Sequence, residues 1–547
     1  MSLSISANDL KFVIFASGHD YTLADSGDGD VQIFSHPFVP LNSVNYAGQY
    51  YFLVPDEDGN PIDAVKDDIA HCTFTPALGT AFDTEGEATV EVHYHREYIY
   101  GEETLVVDKT VSQKITVVNH GSVSSSATYC DLYSDGYAFY RPSSVNTAGY
   151  LQIRGNGQPT KVSSLPWRVT VLGDNGYDFL NAFNLTDISE LQYADTSNVV
   201  HIQGLFHSAQ NITSAMAKEA VGEWDLSSLQ SLEEMAVYST SFTDLSFMEK
   251  WTCPNLTSLW KAFVSMKNTT SLHGLEHLDV SNVTNLSQTF DDMSSLTDIS
   301  AISGWDVSNV TSMSLCFNNT RFANVDALAT WTPTSLTDMS SMFRNCQNLQ
   351  NVDGLLTWSP SILSITECFN HCYSLVDISG LANIDISGVS SLRSVFEDTI
   401  KLLSLEGLET WDTGNVSDFR SMFKNAHWVG DISAMGNWDF SSASDMSAMF
   451  SGNACVLNFT DLILDLSNAS SLTDMFSSLP FLHIAELDVD AYETAYWYVD
   501  YAGNQHSKLG LTETYYTHDA DDAENWLVSV SGANAFSNVW NNLPSWN

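Results

Sequence analysis

Two columns of large apolar residues recurring every 26 or 27 positions constrain this chain more than any other feature. The first column runs through Trp224, Trp251, Leu278, Trp305, Trp331, Trp358, Ile384, Trp411, Trp438 and Leu464. The second follows twelve residues later, eleven in one repeat, as Ala236, Phe263, Phe290, Phe317, Phe343, Phe369, Phe396, Phe423, Phe450 and Phe476. One such unit cannot cover its own apolar residues. Copies must stack Trp on Trp and Phe on Phe, burying them in continuous internal columns. Asn, Ser, Asp and Gly recur between the columns, where turn chemistry needs them. The expected fold is a β-rich solenoid of about 10–12 coils over 176–486. Phe183 and Phe206, with irregular spacing, are read as capping coils.

Within a coil the text reads WDVSNVTSMSLCF (305–317) or WDTGNVSDFRSMF (411–423), followed by an apolar triplet such as Leu349, Val352 and Leu355. SLTDMSSMFRNCQNLQNVDGL (335–355) closely resembles the BspA-like leucine-rich repeats of bacterial surface proteins, whose pattern is roughly D-x-S-x-V-T-x-M-x-x-M-F-x-x-C-x-x-L. The likeness is good over 220–480. It departs in its longer period and in keeping the cysteine only as Cys346 and Cys372. The resemblance implies a curved leucine-rich-repeat solenoid that adheres to host proteins or cell surfaces without catalysis.

A second ladder lies eight residues after the Phe column, seven in one repeat: Ser271, Asp298, Asn324, Asn351, Asp377, Ser404, Asp431 and Asn458. All are small and hydrogen-bonding. Either they satisfy backbone groups of neighbouring coils, or they form an exposed acidic and amide stripe that contacts a ligand or cation. Burial decides between the two.

The polar balance narrows the partner. Twenty Lys and Arg stand against 67 Asp and Glu, a formal net charge of −47. Such a field repels phosphate backbones and anionic membranes, so no nucleic-acid partner is expected, whereas basic patches and cations are favoured. Eight dispersed cysteines without a CxxC are read mostly as buried thiols. No stretch approaches the roughly 18 apolar residues of a membrane span, so no membrane insertion is expected. The start lacks the basic and apolar segments of a secretory signal, so with Met1 as the true start export by that route is not expected.

Residues 1–118 contain six or seven strand-length runs, among them KFVIFAS, QYYFLVP, ATVEVHYHREYIY, TLVVDK and QKITVVNH, with a hairpin signal at Asp58 and Gly59. They are read as an immunoglobulin-like β-sandwich serving attachment. The run from YYFLVPDEDGNPID to ITVVNHG resembles N-terminal domains of phage baseplate and receptor-binding proteins. Residues 119–175 open with the linker-like GSVSSSAT and continue into a small β unit. Residues 487–547 abandon the repeat and are read as a C-terminal cap.

Several motifs tempt a catalytic or metal reading. His273, Glu276 and His277 spell H-x-x-E-H, similar to the inverzincin zinc motif, which needs a helix. Here LHGLEHLD (272–279) is a copy of LEGLETWD (405–412), a bend in the repeat. His93 and His95 share one face of a strand about 7 Å apart, open to a metal but read first as a solvated face. Asp25, Asp28 and Asp30, like Asp519, Asp521, Asp522 and Glu524, lack EF-hand spacing. No cofactor is expected, with calcium the one ion these segments leave open. Sequons such as Asn282-Val-Thr and Asn309-Val-Thr follow from the composition of the bends.

The sequence therefore points to a non-enzymatic binding or adhesion protein. The main expectation is a phage virion component of tail, baseplate or fibre. Its N-terminal domain would dock on other virion proteins and its solenoid would recognise a host cell-surface protein or glycan, with oligomerisation open. The alternative is a BspA-like adhesin of the bacterial cell surface, or a secreted one. A third reading, an enzyme with its chemistry in 1–175 or 487–547, has no motif behind it.

Overall fold

The computed structural model describes residues 38–42, 71–100, 103–127, 130–140, 160–162, 184–429 except 195 and 198, 431–453 and 468–475 except 472, with the short strands named below. They fall into two compact units, residues 1–242 with 246–255, and residues 243–245 with 256–547. Phe183, Leu464, Phe476, the Asp58–Gly59 signal and both acidic segments lie outside the described residues.

The first unit contains a mixed four-stranded sheet. Phe38–Pro40 runs parallel to Glu103–Val118, which pairs antiparallel with Gly86–Tyr100, which in turn pairs antiparallel with Cys72–Thr75. The alternation of strand residues sets its two faces. Val90, Val92, Ile115 and Val117 are buried, while Glu91, His95, Asp108 and Lys114 face out. TLVVDK and QKITVVNH, read as two strands, form one. The intervening residues contain neither Gly nor Pro, and the register with Gly86–Tyr100 is unbroken from Glu103 to Val117. A separate antiparallel pair joins Phe12–Phe15 to Gln49–Phe52.

The Ser-rich stretch read as a linker contributes a strand, Val123–Ala127, which pairs antiparallel with Cys130–Tyr133. Cys130–Tyr133 turns through Asp135 and Gly136 into Tyr137–Tyr140, and Lys161–Val162 adds in parallel. Small hydroxyl side chains do not prevent strand pairing when the neighbouring strand supplies the ladder.

Early coils of the same unit begin with the parallel strands Tyr150–Leu151, Val171–Leu172 and His201–Ile202. The 30-residue gap between Phe206 and Ala236 is filled by the helix Ser214–Val221, capped where the Thr213 hydroxyl accepts the Met216 N–H at 3.3 Å. In later coils the corresponding place holds a single 3-10 turn, such as Ser300–Ile302 or Asp353–Leu355.

The second unit is built of stacked coils. Phe263, Phe290, Phe317, Phe343, Phe369, Phe396, Phe423 and Phe450 form an unbroken stack, neighbouring centroids 5.5 to 5.8 Å apart and planes within 15° of parallel. Trp305, Trp331 and Trp358 stack at 6.2 and 6.0 Å, and Trp411 on Trp438 at 6.2 Å. In the first unit Trp224 stacks on Trp251. All eight Phe are fully buried.

Each Phe is bracketed by residues of positive φ two before and two after, for example Leu315 and Asn319 around Phe317 and Ser341 and Asn345 around Phe343. A left-handed residue other than Gly costs roughly 1–2 kcal/mol. Hydrogen bonding to the next coil offsets that cost. The Leu315, Phe317 and Asn319 N–H groups donate to the Ser340, Met342 and Arg344 carbonyls at 2.8 to 2.9 Å. Chain beyond the described coils includes the parallel pair Leu457–Asn458 with Leu482–His483. It also includes a sheet in which Tyr496–Val499 lies between Gln505–Ser507 and Trp526–Val530.

Candidate ligand-binding faces

Most parallel β-bridges between successive coils of the second unit fall in two rows, with Ser361 to Asp385 outside both. One row carries the expected ladder. Ser271 pairs with Asp298, Asn351 with Asp377, and Ser404 with Asp431. Each side-chain oxygen turns back to accept the backbone N–H two residues on: Ser271 from His273, Asp298 from Ser300, Asn324 from Asp326, Asn351 from Asp353, Asp377 from Ser379, Ser404 from Glu406 and Asp431 from Ser433, at 2.8 to 3.4 Å. This local closure suits Asn, Asp and Ser, and it starts the turn of the next segment. The row is not buried. Asp298, Asn324, Asp377 and Asp431 are exposed, and Ser271, Asn351 and Ser404 are half-buried. Asp377 and Asp431 give one oxygen to the turn and Asp298 gives its other oxygen as well, to the Ser271 hydroxyl at 3.3 Å, while all three groups remain at the surface. Asn458 pairs through its backbone with His483.

A second row of bridges went unread in the sequence. It links Ser258, Asn285, Ser312, Asp338 and Ser364, then Ser391, Asp418, Asp445 and Ser471. Its side chains bond one another from coil to coil, as Ser312 to Asp338 at 3.2 Å and Ser391 to Asp418 at 3.3 Å. Beside it runs a file of hydroxyls, each donating to the carbonyl of its counterpart one coil back: Thr311 to Thr284, Thr337 to Thr311, Ser444 to Ser417 and Ser470 to Ser444, at 3.0 to 3.1 Å. The V-T-x-M element quoted above holds both positions, so its register was the available signal. A third corner is made by the Asp after the Trp column. Asp279, Asp306 and Asp439 accept from the Ser two residues on, and Asn309 and Asn415 donate to Ser281 and Ser387 of the preceding coil at 2.8 Å. The sequon asparagine Asn309 is thus spent on coil-to-coil bonding.

Electrostatics follow the same geometry. Bonding from Ser300 and Ser308, through hydroxyl and backbone amide, holds Asp298 and Asp306 below the usual carboxylate range. Backbone and hydroxyl of Ser387, Ser433 and Ser441 do so for Asp385, Asp431 and Asp439. These carboxylates are acceptors held ionised, not proton donors.

The tempting motifs resolve plainly. His273 Nδ1 lies 2.7 Å from Glu276, whose other oxygen accepts the Gly274 N–H at 2.7 Å, and the segment is a turn, so the helical zinc geometry does not form. Cys253, Cys316, Cys346, Cys368 and Cys372 are buried thiols, and Cys72 is half-buried. Burial pushes Cys346 up to about 11 and raises Cys316, Cys368 and Cys372 further. Cys346 and Cys372 lie against the Phe317 and Phe343 carbonyls one coil back at 3.1 Å, so the family cysteine is a packing and bonding residue. Among the described residues no helix is long and apolar enough to cross a membrane.

Stacked Phe and Trp columns, short parallel bridges and a 3-10 turn per coil define a solenoid of leucine-rich-repeat type. The profile of a family described as "Mycoplasma protein of unknown function, DUF285" matches residues 167–272, 257–374 and 363–484, more than half of the chain. The chain belongs to this family, and its repeats are of the BspA-like kind that their sequence resembles. Among solved structures it is similar to a leucine-rich repeat protein from Bacteroides ovatus ATCC 8483, at 12% identity and a TM-score of 0.26, covering 55% of this chain and 79% of that one. No curated protein matches it.

Proposed function

We propose that this chain is a non-catalytic binding protein of the bacterial cell surface, holding a host surface protein or glycan against the bridge rows of its coils. The observation that carries this reading is the row from Asp298 to Asp431, one hydrogen-bonding group per coil, of which Asp298, Asn324, Asp377 and Asp431 are exposed and Asn351 and Ser404 half-buried. A repeated array of that kind suits an extended ligand with repeated donors. The net charge of −47 favours a basic ligand, or one bridged by cations. The N-terminal strands, read as an immunoglobulin-like sandwich, would serve as the attachment end. The virion reading rests on the likeness of that N-terminal region alone. Membership in the repeat family supports the cell-surface reading instead.

Binding of the purified chain to immobilised host surface proteins and glycans tests this by surface plasmon resonance at low and moderate salt. A triple variant Asp298→Asn, Asp377→Asn, Asp431→Asn keeps the capping oxygens and removes the charges. Affinity should fall on the order of tenfold with rising salt and again in the variant. Binding unchanged by both would overturn the assignment of the ligand to this row. Immunogold labelling of intact source cells should decorate the cell surface, and label on phage particles would restore the virion reading.

A further inference from the structure

The geometry points to a divalent transition-metal site of the zinc class at His93, His95 and Asp108, on the outer face of the long N-terminal hairpin. Strand alternation puts His93 and His95 on one face, and the antiparallel register sets Asp108 opposite His95 and Thr110 opposite His93. The strand Cys72–Thr75 stops pairing at Tyr94 and Phe38–Pro40 pairs only with Thr116–Val118, so among the described strands three give way to two at the trio. His93 Nε2 is 3.3 Å from Asp108 Oδ1 and His95 Nδ1 is 3.1 Å from Asp108 Oδ2. All three donors lie within 4.8 Å of one another. Ligands about 2.0–2.2 Å from a tetrahedral ion stand roughly 3.3 Å apart. The two imidazole–carboxylate distances have that length but run to different oxygens of Asp108. A shared ion is held once the carboxylate and rings rotate to bring the donors, now within 4.8 Å of one another, to that spacing.

Three further features favour an ion over a plain ion pair. His93 Nδ1 is 2.9 Å from the Thr110 hydroxyl, an outer partner of the kind that orients a ligating imidazole and leaves its other nitrogen for the metal. The side chains are 44, 51 and 55% exposed, so water or a donor from another molecule has room to complete the coordination. Exposed Glu91 and Glu97 flank the trio at the next positions of the same face, adding to the attraction for a cation. Two imidazoles against one carboxylate select zinc, nickel or copper rather than calcium, which takes six to eight oxygens. Other described His–carboxylate contacts, such as His371 with Asp398 and His273 with Glu276, bring together two donors, and among the described residues this cluster alone brings three.

Titration of Zn2+ into the untagged full chain tests the site, with Co2+ as a spectroscopic probe. One ion per chain is expected, with visible cobalt bands of a nitrogen–oxygen site. Affinity should fall in both His95→Ala and Asp108→Asn by at least the roughly 10- to 100-fold that losing an outer partner of a ligand costs, and stay unchanged in His273→Ala. The altered residues are exposed, and matching circular dichroism will confirm that the variants fold. Absence of stoichiometric uptake and of cobalt bands in the unaltered chain overturns the proposal, as does affinity retained in both variants.

Discussion

At the scale of single residues, each conspicuous side chain in the repeat answers to a coil one period away. The Trp column is apolar enough to stack, yet its N–H must be satisfied once buried. Trp305, Trp331, Trp358 and Trp438 donate to Leu275, Ile302, Leu328 and Leu408 carbonyls at 2.9 to 3.1 Å. Trp411 breaks the rule, its Nε1 buried without a partner. Phe343 has no polar duty. It is fully buried, stacked on Phe317 at 5.8 Å and on Phe369 at 5.5 Å, with Phe322 edge-on. Phe343→Ala opens a gap between two rings fixed by their own coils, so collapse is limited. The expected loss is about 3–5 kcal/mol, against less than about 1.5 for Phe343→Leu. Equilibrium urea denaturation followed by tryptophan fluorescence measures both. A loss below 1 kcal/mol for the alanine variant, as a rough threshold, would mean that the column is not what holds the coils.

At the scale of the coil, close approach of backbones sets the limits. A Cβ on Gly354 would sit 2.0 Å from the Val325 carbonyl oxygen, and one on Gly380 1.9 Å from that of Val352, each in the preceding coil. Neither oxygen belongs to a flexible side chain, so the coils themselves must part. Gly304 has nothing within 4 Å. Gly354→Ala should therefore cost about 1–3 kcal/mol while Gly304→Ala stays within about 0.5, compared by urea midpoint. Equal effects would refute the contact. Such approaches were not legible in the sequence, because Ala301, Ala327 and Ala434 occupy the matching positions of other coils and hide the demand for Gly. The aromatic columns were legible since their period and their burial coincide. The ladder from Ser271 to Asp431 was legible as a column, but its double character was not: whether an Asp caps a turn or faces solvent depends on which way each oxygen points. The metal-ligand trio was two-thirds legible. His93 and His95 share a strand, whereas Asp108 joins them only through the hairpin register.

At the scale of the molecule, a chain with net charge −47 must place its carboxylates where the fold uses them. Self-repulsion would raise their pKa values and make folding easier in acid. Capping does the reverse, since an ionised carboxylate accepts the turn N–H better than a neutral one. In the second unit Asp298, Asp306, Asp385, Asp431 and Asp439 are all held below the ordinary carboxylate value. Burial pushes Asp291 the other way. Capping therefore prevails over repulsion among these groups. A depressed folded pKa gives stability that is complete above the unfolded value of about 3.9 and lost as pH falls through the folded one. The urea midpoint of the second unit should be level from pH 7 to about 5 and decline below about 4, whereas in the first unit the buried Glu190, pushed up to about 7, adds stability on acidification. A variant with Asp298, Asp306 and Asp439 each changed to Asn retains the acceptor oxygen without its charge, so its decline should be shallower. A midpoint that rises on acidification, or an identical decline in the variant, would show repulsion rather than capping to govern these carboxylates.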